Sequence, residues 1–148
     1  MNHILLIIGI LALSLTLPAC NKEEDPKPLP TNSEKILGTW TLAEELHSQN
    51  GQFVSVLNAC DLDDTWTFKT DATLTGSQNG TTCDPGSPPG FTTSWELQDS
   101  ETVLYLDFGA IFDKYKIATL NDTVLVLHRP VNFNDVNGQV STKITYKR

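Results

Sequence analysis

From Lys35 onward the chain alternates polar and apolar residues in short runs, the period of strands that bury one face. Thr65-Trp66-Thr67-Phe68-Lys69 is the cleanest case, with Trp66 and Phe68 on one face and the threonines on the other. Leu37-Gly38-Thr39-Trp40-Thr41-Leu42 partly alternates, Thr73-Leu74-Thr75 follows a turn at Asp71-Ala72, and Thr93-Ser94-Trp95-Glu96-Leu97 alternates again. Val103-Leu104-Tyr105-Leu106-Asp107-Phe108 places Leu104, Leu106 and Phe108 together. Lys114-Tyr115-Lys116-Ile117, the leucine-rich run 123–128, and a last run with Val140, Thr142, Ile144 and Tyr146 on one face complete the series. Turn formers punctuate it. Asn50-Gly51 and Asn137-Gly138 predict tight hairpins. Asn121-Asp122 predicts a turn, and Gly80, Pro85, Gly86, Pro88, Pro89 and Gly90 mark a loop. Ala43-Glu44-Glu45-Leu46 is the ambiguous spot, where helical propensity sits inside a strand pattern.

These segments amount to about eight short strands joined by hairpins. The expected fold is all-β: an eight-stranded antiparallel up-and-down β-barrel, because a meander that closes on itself leaves no exposed edges. A two-sheet β-sandwich is the alternative.

The first residues follow another pattern. Residues 4–17 are apolar except for Gly9, Ser14 and Thr16, too short a run to span a bilayer and suited to a signal-peptide core. The run ends in Leu17-Pro18-Ala19-Cys20, which resembles a bacterial lipobox: a small residue before the cleavage point and a cysteine to receive the lipid. Residues 1–19 are therefore expected to be a lipoprotein signal peptide and Cys20 the lipidated residue. Pro18 and the lack of Lys or Arg before the apolar core depart from the usual pattern, so an ordinary secretory signal or an anchor helix is the other reading. Residues 20–34 are polar and Pro-rich, as in an extended tether, and residues 35–148 form the domain. The expected partner of Cys20 is the lipid bilayer, since each buried methylene of its chains stabilises binding by about 0.8 kcal/mol. Lys22-Glu23-Glu24-Asp25 beside it resembles a surface-export signal, which implies the outer membrane and the cell surface, with the periplasmic face as the alternative.

Composition narrows the partners. The formal net charge is −8, and no Lys, Arg, Asp or Glu occurs in residues 1–19, so the exported part carries all of it. With no basic stripe, nucleic acid is excluded as a partner. Of the three cysteines, Cys20 is taken by lipid. Cys60 and Cys83 remain as an even pair in an exported domain, which predicts a disulfide closing a loop of about 24 residues and contributing about 3 kcal/mol. A metal pair or a reactive thiol is the alternative, but no His or further Cys lies nearby in sequence.

The chain resembles a known group in several places. Leu37-Gly38-Thr39-Trp40 looks like the Gly-x-Trp opening of lipocalin-like families. The stretch from Cys60 through Asp63-Asp64-Thr65-Trp66-Thr67-Phe68 to Asp71 and Cys83 is similar to bacterial lipocalin-like lipoproteins. So are Trp95-Glu96-Leu97, Leu125-Val126-Leu127 and the closing Thr145-Tyr146-Lys147-Arg148. The resemblance spans roughly residues 35–148. It implies that Gly38 and Trp40 form the structural motif of a barrel floor, with Trp40 packed against an arginine from a late strand, either Arg129 or Arg148.

Catalytic chemistry is sparse. Asp61, Asp63 and Asp64 form an acidic cluster that is either a cation site or a solvated loop. Asn132, Asn134, Asp135 and Asn137 before Gly138 suggest a calcium loop only faintly, and a hairpin suits them better. His47 and His128 lack metal-type spacing. No catalytic residue, metal site or cofactor is expected, and the chain is not expected to be an enzyme; that reading would need His47 or His128 beside an Asp. Two functions remain. One is a binding module for a small apolar or amphipathic ligand, lined by Trp66, Phe68, Trp95, Leu104 and Leu106. The other is a surface interaction protein with a filled barrel, contacting a protein or glycan through the 61–64 and 84–90 loops. The oligomeric state is left open.

Overall fold

The computed structural model describes residues 29–80, 82–83, 85–86, 88–131 and 139–148. The expected signal peptide, Cys20, most of the tether, and the 132–138 segment with its Asn137-Gly138 hairpin lie outside the described residues. One helical turn and nine strands follow in order: α1 (Asn32–Ile36), β1 (Gly38–Gln49), β2 (Gln52–Ser55), β3 (Thr65–Phe68), β4 (Thr73–Ser77), β5 (Gly90–Gln98), β6 (Val103–Asp107), β7 (Phe112–Leu120), β8 (Val124–Pro130) and β9 (Val140–Lys147).

All pairings are antiparallel, and β1 closes the ring. Along one edge β1 pairs with β3, from Gly38↔Phe68 to Thr41↔Thr65. Along the other it pairs with β9, from Thr41↔Lys147 to His47↔Thr142. β1 and β3 to β9 thus form the closed eight-stranded barrel, and the sandwich alternative falls away because one continuous sheet meets itself. β2 is an added strand, turned back on the far end of β1 through Asn50 and Gly51, both at positive φ as a tight hairpin requires.

The segment Ala43 to Leu46 is strand, since pairing with β9 outweighs its helical propensity. A bulge falls between Leu42 and Glu44. Leu42 stands opposite Tyr146 and Glu45 opposite Ile144, so both face the barrel interior although they are an odd number of residues apart.

The core packs Ile36, Trp40, Phe68, Leu74, Trp95, Leu104, Leu106, Leu125, Leu127, Ile144 and the tyrosines 115 and 146. Phe108 lies beyond the core: β6 ends at Asp107, and Phe108 stands half-exposed on the rim beside Phe91.

The floor of the barrel is built on Trp40. Its indole N–H donates to the Ile36 carbonyl at 2.7 Å, and the Arg148 guanidinium lies 3.9 Å from its ring centroid. Arg148 also donates to the carbonyls of Lys35 (3.0 Å) and Leu37. Arg148 rather than Arg129 is therefore the floor arginine; Arg129 sits near the other end, paired with Asp113. Gly38, at φ 106°, lies under the guanidinium, 3.4 Å from where a Cβ would stand. The last part of the stretch read as tether, Asn32 to Glu34, is helical: Thr31 and Glu34 form a capping box, and the Glu101 carboxylate accepts from the Asn32 and Ser33 amides. Those bonds hold the Glu101 carboxyl below its usual range, the Ser33 hydroxyl first.

Candidate functional site at the open end of the barrel

Successive strands run up and down, so the end opposite Trp40 gathers the β1–β2 turn, residues 61–64, the β4–β5 loop and the β6–β7 turn. Register shows which side chains face inward there. Trp40, Trp66, Gly76 and Phe91 stand opposite one another on β1, β3, β4 and β5. Because barrel strands tilt, this row climbs from the buried floor to the rim. Gly76 leaves a gap in it that the Phe91 ring fills; a Cβ there would overlap that ring. Trp66 sits at the junction, its ring centroid 4.9 Å from Tyr146, 6.5 Å from Tyr115 and 6.0 Å from Phe91, the last at an interplanar angle of 89°.

Below Trp66 the barrel is filled. Phe68, Trp95, Leu104 and Leu106, expected from the sequence to line a ligand site, are packed in the core instead. Phe68 meets Trp95 edge-on at 5.4 Å. Of the five expected ligand residues, Trp66 alone borders the open cleft at the rim. That cleft has a volume of about 280 Å³ and is lined by Asp64, Trp66, Gly76, Gln78, Pro88 and Phe91, among others.

Two polar atoms of its lining residues are closed off from water. Asp64 Oδ1 and Gln78 Oε1 are buried without a hydrogen-bond partner among the described residues. Burial raises the Asp64 carboxyl above the ordinary carboxylate range, with further contributions from Asp61 and Asp63. The walls that carry these atoms are cross-linked. The Cys60–Cys83 disulfide, Cα atoms 5.3 Å apart, joins the 61–64 segment to the β4–β5 loop. The Asn79 amide donates to the Asp63 carbonyl at 2.9 Å and to the Thr65 hydroxyl at 3.0 Å. Gly80, at φ 68°, passes so close to Asp63 that a Cβ would collide with its carboxylate. Asp61 adjoins the two cysteine sulfurs, but sulfurs bonded to each other are not thiolate ligands.

On the opposite side of Trp66 the lining is polar, which sequence reading missed. Glu45 faces inward opposite Ile144, and His47 lies opposite Thr142, itself opposite Arg129. His47 Nε2 lies 2.7 Å from Glu45 Oε1. Arg129 pairs with Asp113, and its guanidinium lies 5.6 Å from the Tyr115 ring centroid. Burial, then the Glu45 charge, pushes the Tyr115 hydroxyl up to about 12, and burial carries Tyr146 well above its ordinary value. His128 is on the outer face opposite Lys143; burial, then that cation, lowers its pKa. The two histidines therefore do not meet in one site. No sequence signal marks Glu45 as inward, since the bulge that turns it is set by pairing. Gly76 did carry a signal: a lone glycine within a strand marks a close approach.

The lipocalin-like domain family matches residues 36–127. Among solved structures, a lipocalin-like protein from Bacteroides uniformis superposes with a TM-score of 0.50 at 12% identity, covering 77% of this chain and 98% of that one. A DUF4847 family protein from Bacteroides vulgatus reaches a TM-score of 0.44 at 16% identity, over 76% of this chain and 93% of its own. No curated protein matches the chain by sequence.

Proposed function

The chain belongs to the lipocalin-like domain family, and on that premise we propose that it is a lipid-anchored binding protein which holds a small amphipathic molecule in the open end of its barrel. The observation that carries this reading is the division of the interior at Trp66. Below it the side chains pack densely. Above it an aromatic-walled cleft of about 280 Å³ opens at the rim, with Asp64 and Gln78 in its lining. Sites for small molecules combine apolar walls with a few polar groups that fix orientation. The cleft holds about nine waters of liquid volume, so the guest, or the part of it that enters, is small. The cross-linked loops support a rim formed before binding, which lowers the ordering cost.

The anchor belongs to the same proposal: cleavage before Cys20, lipid on its sulfur, and a tether that displays the barrel at the outer membrane, facing outward. The reading assigns the protein no catalysis.

Native mass spectrometry of the protein purified from its host tests the binding function. A co-purifying small molecule that Trp66→Ala loses supports it; a bare mass under gentle conditions argues against it. Metabolic labelling with a palmitate analogue, lost in Cys20→Ala, tests the anchor. A second reading has one observation in its favour. Ile111 and Phe112 are 69% and 61% exposed on the rim beside Phe108, an apolar surface that suits contact with a macromolecular partner.

A further inference from the structure

The cleft's lining limits the chemistry of its guest. Trp66 and Phe91 meet at nearly a right angle, 6.0 Å between centroids, so two aromatic surfaces border the same small space. Aromatic faces carry negative potential and attract cations, most strongly where water is excluded. The polar atoms point the same way. A carboxylate accepts hydrogen bonds and donates none, and Asp64 lines the cleft. Asp61 and Asp63 add negative charge beside Asp64. Among the described residues, the lining includes no Lys or Arg. The nearest inward-facing guanidinium, Arg129, is across the barrel and already paired with Asp113. An anion entering this cleft would meet repulsion from Asp64 and from the aromatic lining, and a neutral hydrocarbon would gain nothing from the carboxylate.

We infer that the Trp66–Phe91 cleft selects an organic ammonium group, with the cation against the aromatic lining and an N–H bond directed to the Asp64 carboxylate. This inference rests on the binding function proposed above and adds the charge of the guest. The ammonium shares the cleft with an apolar body of few carbons.

The test uses the whole chain and a matched series of probes: benzylammonium, benzyl alcohol and benzoate, followed by saturation-transfer NMR and titration calorimetry. Benzylammonium is expected to bind at least about tenfold more tightly than benzyl alcohol, with benzoate weakest. Asp64→Asn should bring benzylammonium down to the level of benzyl alcohol while leaving benzyl alcohol unchanged. Asp122→Asn, an exposed carboxylate at the floor end, should change neither, which separates the cleft from the general attraction of an acidic protein. Equal binding of the three probes, or preference for benzoate, overturns the ammonium assignment but leaves an apolar site in place. So does an ammonium preference that survives Asp64→Asn. If no probe gives a signal at millimolar concentration, the cleft is not a small-molecule site, and the binding function falls with it. The wild-type series decides the ammonium preference itself even where a variant folds poorly.

Discussion

Replacing Arg148 with Met tests the floor of the barrel, because it removes the guanidinium while keeping most of the alkyl stem. Three interactions are lost: the stacking of the cation on Trp40, 3.9 Å from the ring centroid, and donation to the carbonyls of Lys35 and Leu37. Cation–π contact contributes about 0.5–2 kcal/mol, and a hydrogen bond from a charged donor about 1.5–3 kcal/mol. Arg148 is exposed at its outer side, so water competes, and the three lower ends together, about 3.5 kcal/mol, are an upper bound. The expected loss is about 2 kcal/mol, with a fall in Tm of about 8 °C for a domain of this size. The lost bonds join the end of β9 to the segment entering β1, so the barrel should also loosen where it closes. Urea unfolding followed by tryptophan fluorescence gives the free energy, and Trp40, being buried, should report the floor directly. Arg129→Met is the control. Its pairing with Asp113 lies at the open end, where both side chains are partly solvated, and its loss should cost at most about 1 kcal/mol. An Arg148→Met loss below about 0.5 kcal/mol, or one smaller than that of Arg129→Met, would refute the account of the floor.

Three other outcomes follow from the geometry. Asp64 has a raised carboxyl pKa in the fold, beside Asp61, Asp63 and the Tyr146 hydroxyl, so the folded state holds its proton more tightly than the unfolded chain. Its ionisation therefore lowers stability as pH rises from the ordinary 3.8 through the raised value. Asp64→Asn should be more stable than wild type at neutral pH, with the gap closing below pH 3.8; a less stable variant at pH 7 in denaturant titrations would contradict this. Ser100, at φ 56° between Asp99 and Glu101 in the same left-handed region, should gain up to about 1 kcal/mol when replaced by Gly, read as a higher urea midpoint. Cys60→Ser with Cys83→Ser should lose about 3 kcal/mol, and a reductant should weaken wild type but not the double variant.

Much of this protein was legible along the chain because a strand's signal is local. Side chains alternate with period two, and an Asn-Gly pair accepts positive φ wherever it occurs. Hence the strands, the turn at Asp71-Ala72 and the disulfide partners could be read directly. Helix α1 was also readable: Thr31 followed three residues later by Glu34 is a capping box, overlooked inside a Pro-rich stretch.

Other features depend on which strand lies beside which. The choice of Arg148 over Arg129 required β9 to return its end to the start of β1. The inward turn of Glu45 required a bulge that only pairing with β9 creates. The ligand residues show the difference most clearly. Period two marks Trp66, Phe68, Trp95, Leu104 and Leu106 alike as facing inward, but it carries no information on height along the barrel. Height is set by strand tilt and register. These bury four of the five in a packed core and leave Trp66 between that core and the cleft, opposite a glycine that lets Phe91 form the second wall. The sequence alone determined which face each residue presents; tertiary structure decided how far from water that face ends up, because depth is a property of neighbours and not of the chain.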